Sequence, residues 1–233
     1  MAFNPSNGLC SLADLKSALR LIDDQDDDRL NLAIDAASRQ IENKVNRRFW
    51  QNQTSVARTF VPSTPFLCDV DDFFLPTQSA GAITGITLQT DPYGDGSFGL
   101  TWQNPIYNAT DGSMAGGDFQ LEPLNGLSEG QPWPFERIRA VRSLLFPLYG
   151  GIAYPVPYTQ ALVKVTATFG WNYVPTEIRK ACILQAMALF KADDTPFGAT
   201  PFPEIGIVRQ KDDLHPTAKA LVERYREVTV RVA

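Results

Sequence analysis

The hydrophobic period of this chain changes twice along its length, and few architectures accommodate that. Leu30, Ile34, Ala37, Ile41 and Val45 step by four, three, four and four, the spacing of one helix face. Between about 50 and 171 the stripe disappears, and short runs rich in β-branched and aromatic residues take its place, separated by Pro and Gly. From Pro175 the helical pattern returns. The expected fold is therefore α+β: a helical bundle made of an N-terminal helical hairpin and C-terminal helices, with an antiparallel β-rich domain inserted. The expected boundaries are 1–49 with 172–233 for the helical domain and 50–171 for the insertion. A chain of 233 residues can bury cores of this kind without disulfide or metal staples.

Local chemistry marks the ends of the elements. Ser11 and Asp14 have the spacing of a capping box, ahead of Leu12, Leu15, Leu19 and Ile22 on one face. After a break at Asp23-Asp24-Gln25, Asp26, Asp27 and Asp28 supply a cap and first-turn anions for the second helix, and Arg47-Arg48 close it. Strands are expected at 56–61, 83–89, 119–121, 138–141 and 161–169, with a turn at Tyr93-Gly94-Asp95-Gly96. Pro175 opens a helix that is apolar almost all round to Phe190, so Leu184 and Met187 are expected to be buried between the hairpin and the last helix or a neighbour. A Pro/Gly-rich loop then runs to about Asp213, and Pro216 starts the final helix.

Four patterns imitate active sites, and each lacks the context that its chemistry needs. Gly94-Asp95-Gly96-Ser97-Phe98-Gly99 spells G-x-G-x-x-G, but the sequence into Pro105 cannot open the helix that would hold a pyrophosphate. Gly126-Leu127-Ser128-Glu129-Gly130 spells a nucleophile elbow but runs into Pro132 and Pro134, not a helix. Asp24, Asp26 and Asp28 alternate as in a calcium loop, yet Arg29 stands where the sharp turn needs glycine and Asp35 where the closing glutamate belongs. His215 is the only histidine, and no nucleophile motif pairs with it. The carboxylates Asp69, Asp71, Asp72, Asp118 and Glu122 leave one enzymatic alternative, a glycan-active site, which needs two of them at a fixed separation. The expectation is no catalysis, no metal and no cofactor.

Composition removes further classes. Lys plus Arg total 21 against 26 acids, a net charge of −5, which disfavours wrapping nucleic acid. Cys10, Cys68 and Cys182 form no C-x-x-C pair and read as buried free thiols. No apolar run approaches the ~20 residues of a membrane helix and no cationic leader opens the chain, so a soluble protein made in the cytosol is expected, with no membrane partner. The segment 195–209 is too apolar for a mere linker. Phe197, Phe202, Ile205, Ile207, Val208 and Arg209, with Leu221, Tyr225 and Arg226 of the final helix, are expected to form an interface to a partner or an adjacent subunit.

Several of these stretches together resemble the head–tail connector (adaptor) family of tailed bacteriophages. They are Ser11 to Lys16 with Leu30 to Phe49, Asp118 to Leu121 with Trp133-Pro134, and Phe169-Gly170-Trp171 through Ala181. At the C-terminal end they are Asp194 to Gly198, Ile207-Val208-Arg209 and Leu221 to Arg226. The departures are His215-Pro216, where an acid before the proline is commoner, and the long middle insertion. The resemblance implies a structural virion protein of the neck, assembled in the host cytoplasm. It would form a ring beneath the portal, matching the portal's twelvefold symmetry as a dodecamer, and offer a platform to the stopper or tail protein. Genomic DNA would pass through its lumen without specific binding. Another neck or capsid component, a head-closure stopper or a decoration protein, is the alternative.

Overall fold

A computed structural model describes residues 7–125, 127–128, 130–148, 162–193, 199–202, 206–209 and 214–226. The chain forms two compact units, Met1–Phe49 with Tyr173–Val230, and Trp50–Asn172. The fold is mixed α+β with antiparallel strand pairing, as the change of period implies.

Among the described residues the first unit carries four α-helices, α1 (Leu12–Leu19), α2 (Asp27–Val45), α3 (Thr176–Asp193) and α4 (Pro216–Val222). The capping box of α1 is complete: Asp14 N donates to Ser11 Oγ at 3.1 Å, and Ser11 N to Asp14 Oδ2 at 3.2 Å. Arg20 ends α1 and Asn46 ends α2, both in the left-handed region. All five residues of the α2 stripe are buried. Asp26 occupies the N-cap of α2 but makes no side-chain cap bond; its carboxylate meets Arg29 Nη1 at 3.0 Å. α3 packs against α1, α2 and α4.

The burial of α3 corrects the within-chain half of one expectation. Ile178, Ala181, Cys182, Ala186 and Phe190 face the interior, whereas Ile183, Leu184 and Met187 are half-buried between the exposed Lys180 and Lys191. Apolarity on every side told of a central helix, but only the packing of three neighbours shows which side they leave open. Gln185 is 2% exposed at the middle of the inner face. Its Oε1 accepts His215 N and its Nε2 donates to Gln40 Oε1, both at 2.7 Å, so one amide ties α2, α3 and the start of α4.

A second correction concerns the Pro/Gly-rich stretch expected as a loop. Ala199–Phe202 pairs antiparallel with Gly206–Arg209 as a hairpin, with Pro201 opposite Ile207. A two-stranded ribbon turns alternate backbone nitrogens outward, and those positions tolerate a proline.

In the second unit the main strands are β1 (Val56–Phe60), β2 (Leu67–Phe73), β3 (Ile86–Thr90), β4 (Phe119–Glu122), β5 (Phe135–Ala140) and β6 (Val163–Ala167). One sheet runs β1-β6-β3 and ends on the short strand Leu100–Thr101; another runs β2-β5-β4. Inward residues of both meet in one core that includes Phe73, Leu88, Phe119, Ile138, Val163, Val165 and Phe169. Trp102 stacks on Phe146 at 4.7 Å, and its Nε1 donates to Thr90 Oγ1 at 3.0 Å, so a large indole is buried without stranding its polar atom. β2 was not anticipated. Its Cys68 and Val70 point in and Asp69 and Asp71 point out, an alternation hidden by the acidic composition.

Candidate functional site

The carboxylates that could have made a glycan-active pair are each engaged elsewhere. Asp69 faces Arg137 at 3.4 Å and Asp71 faces Arg58. Asp72 accepts Trp171 Nε1 at 2.7 Å, Asp118 accepts Gln103 N at 2.7 Å, and Glu122 pairs with Arg139. Cross-strand ion pairs and loop anchors of this kind hold a sheet in register. The register sets Asp69 and Glu122 on either side of Arg137 on one face of the sheet, each held by an arginine of the central strand.

The glycine-rich motif is a loop organised by a residue outside it. Asp91 is 1% exposed and accepts Tyr93 N at 3.2 Å, Gly94 N at 2.8 Å and Gly96 N at 2.7 Å. Gly94 and Gly96 take positive φ, as the turn requires. The N–H groups that would cradle a phosphate in a nucleotide site are thus spent on a carboxylate of the same chain. Asp91→Ala should leave these donors to water and cost about 2 kcal/mol. Hydrogen exchange should speed up at Tyr93, Gly94 and Gly96; unchanged protection there would refute the assignment.

The other motifs resolve similarly. Leu127–Ser128 pairs antiparallel with Gln131–Pro132, so the serine lies in a hairpin strand, not at a strand-to-helix elbow. In the acidic turn the counter-cation is a lysine: Lys16 Nζ lies 2.7 Å from both Asp24 Oδ1 and Asp27 Oδ1. His215 is the N-cap of α4, its Nδ1 accepting Thr217 N at 3.3 Å. Among the described residues no three His, Cys, Asp or Glu side chains group as a metal site would need, and no helix is long and apolar enough to cross a membrane.

The residues expected at an interface fall into three groups. Phe197 and Ile205 lie outside the described residues. Phe202, Ile207, Val208 and Arg209 belong to the two strands of the C-terminal hairpin, which places them on one short ribbon. On the last helical turns Leu221 is half-buried and Arg226 exposed, while Tyr225 is fully buried and meets Phe49 edge-to-face at 5.9 Å. Tyr225 therefore closes the helical unit upon itself. The outward stripe of α3 was missed as a surface. Its signal was present in Lys180 and Lys191, the cations that bracket Ile183, Leu184 and Met187 at helical spacing.

The class these features define is an α+β protein whose polar clusters serve structure, with apolar surface at the helical unit. Residues 10–71 match the model of the phage gp6-like head-tail connector protein family. The family named by the sequence resemblance is thus found independently, over the two helices that carried its N-terminal motifs and on into β2. Three solved structures are similar over nearly the whole chain. One, the neck of an empty GTA particle computed with C6 symmetry, is 17% identical with a TM-score of 0.47, covering 100% of this chain and 99% of that one. The neck of a native GTA particle computed with C12 symmetry is 16% identical, TM-score 0.43, over 100% and 99%. The virion of a native gene transfer agent particle is 18% identical, TM-score 0.44, over 99% and 96%. No curated protein matches.

Proposed function

We propose that this chain is a structural protein of the virion neck: a head-to-tail adaptor that assembles as a ring beneath the portal. It extends the DNA channel and offers the stopper or tail protein a platform. The observation that carries this reading is the match of residues 10–71 to a family of head-tail connectors, which is not a family of enzymes. Two physical features support it. The chain's net charge of −5 suits a wall past which DNA slides without sticking. A ring also needs a head-to-tail contact between two different faces of each subunit. The stripe of Ile183, Leu184 and Met187 on α3 offers one such face, and the hairpin bearing Phe202, Ile207, Val208 and Arg209 offers another, toward the portal or the next subunit.

Coexpression with the portal of the same particle, followed by electron microscopy, tests the reading. Rings seated on the portal are expected, with the portal's own symmetry. Deleting residues 199–209 should leave the helical unit folded and abolish the rings. Rings that form normally without the hairpin would move the contact to α3, and a wild-type chain that never joins the portal would overturn the adaptor role.

A further inference from the structure

The segment before α1 is held on α2 by two hydrogen bonds. Leu9 N donates to Ser38 Oγ at 3.0 Å, and Arg39 Nη2 donates to Asn7 O at 2.9 Å. This brings Cys10 against α3, where its Sγ stands 3.4 Å from Cys182 Sγ although 172 residues separate the two in sequence. Ser38 Oγ lies 3.5 Å from the same Cys182 Sγ, so three parts of the chain converge on one thiol pair. Both cysteines are free and buried, Cys182 completely and Cys10 to within 8%. A disulfide is about 2.05 Å long, so the sulfurs need to close by roughly 1.3 Å, within reach of side-chain rotation.

We propose that Cys10 and Cys182 are a redox-modifiable pair, forming an intramolecular disulfide that ties the N-terminal segment to α3 when the chain meets a disulfide-class oxidant. Cys10, at the edge of the cluster, loses its proton and attacks the reagent disulfide; a Cys10 mixed disulfide forms and one small thiolate leaves. Cys182 then loses its proton and attacks the Cys10 sulfur, the new S–S bond forms, and the second small thiolate leaves. Two protein thiols are oxidised and one reagent disulfide is reduced to two thiols. The shared hydrogen bond raises the Cys10 pKa and lowers that of Cys182, so removing the Cys10 proton is the slow step; once Cys10 is blocked that bond is gone, and Ser38 with the Leu9 and Cys10 N–H groups favours the Cys182 thiolate. Cys68 lies in the other unit, and burial pushes its thiol up, so it serves as an internal control. In a reducing cytosol the pair stays open and outside the cell it closes. That consequence rests on the neck reading, whereas the thiol chemistry does not.

The test uses the full wild-type chain, purified reduced and then incubated with oxidised glutathione. After rapid acid quenching and unfolding, titratable thiols should fall from three to one. Non-reducing peptide mapping should join the Cys10 and Cys182 peptides with the loss of two hydrogens. The melting temperature should rise by roughly 5–10 °C and return on adding dithiothreitol. In Cys68→Ser the titratable thiols should fall from two to none, with the same link and the same reversible rise in melting temperature, and Cys182→Ser should abolish the cross-link. Because mapping is done on the wild-type chain, a variant that fails to fold leaves the test intact. Three thiols surviving in the treated chain, a link that includes Cys68, or disulfides only between molecules would overturn the proposal.

Discussion

Gly170→Ala should cost the β-rich unit on the order of 4 kcal/mol or more, the extreme of what single substitutions do. Gly170 has φ +101°, where an L-residue is strained, and a Cβ there would stand 2.9 Å from the Trp50 carbonyl carbon and overlap its oxygen. Neither obstacle is a flexible side chain that could swing away. The position also cannot move alone. Gly170 N donates to Asp72 O at 2.6 Å, Phe169 O accepts Asn52 N at 2.8 Å, and the Trp171 indole bonds the Asp72 carboxylate. Gly96→Ala is the control: its φ is +86° with nothing within 4 Å of a Cβ, so it should pay only the conformational cost of ~1 kcal/mol. Urea denaturation followed by tryptophan fluorescence would measure both. A Gly170 variant within ~1 kcal/mol of wild type would show that the close approach to Trp50 is not a constraint.

Ala186→Asp should unfold the helical unit, while Leu184→Asp should not. Ala186 is fully buried on the face of α3 turned to its neighbours. A carboxylate there has no partner in reach of water, and the cost of several kcal/mol approaches the whole reserve of a marginally stable domain. Leu184 is half-buried on the opposite side, so an aspartate can turn toward water and the loss is about 1–2 kcal/mol of partial burial. Leu184→Asp and Met187→Asp should instead act on assembly, by placing charge in the stripe proposed to meet a neighbour. Circular dichroism melts separate the first effect, and ring formation on the portal reads the second. A Leu184→Asp chain that is unfolded would restore the buried assignment, and one that forms rings normally would remove α3 from the interface.

That the glycine motif is a loop and Ser128 no elbow was readable from context, because a phosphate loop or a nucleophile elbow opens a helix, which the residues running into Pro105 and Pro132 do not. What organises those places was not readable. Asp91 lies outside the glycine motif that it holds, and nothing in its neighbours marks it as buried. Gln185 carried a faint signal, a lone amide amid apolar residues, but its partners Gln40 and His215 are far away in sequence. Cys10 and Cys182 carried no signal at all as a pair, since their spacing of 172 residues resembles no motif.

The sequence by itself determined α1, α2 and the start of α4, because caps act within one turn and an apolar stripe marks the face to be buried: the Ser11–Asp14 box, the Leu30-to-Val45 stripe and Pro216 at the first helical position all form where expected, although α1 stops at Leu19 and leaves Ile22 exposed. It also determined the alternating strand β6, flanked on both sides in its sheet. Only the tertiary structure decided the rest. β2 and the C-terminal hairpin are strands because a neighbouring strand takes up their backbone bonds and cross-strand arginines neutralise Asp69 and Asp71, which acidic or proline-rich composition cannot announce. Which face of α3 stays open depends on where α1, α2 and α4 lie around it, and that is a property of long-range packing, not of the helix.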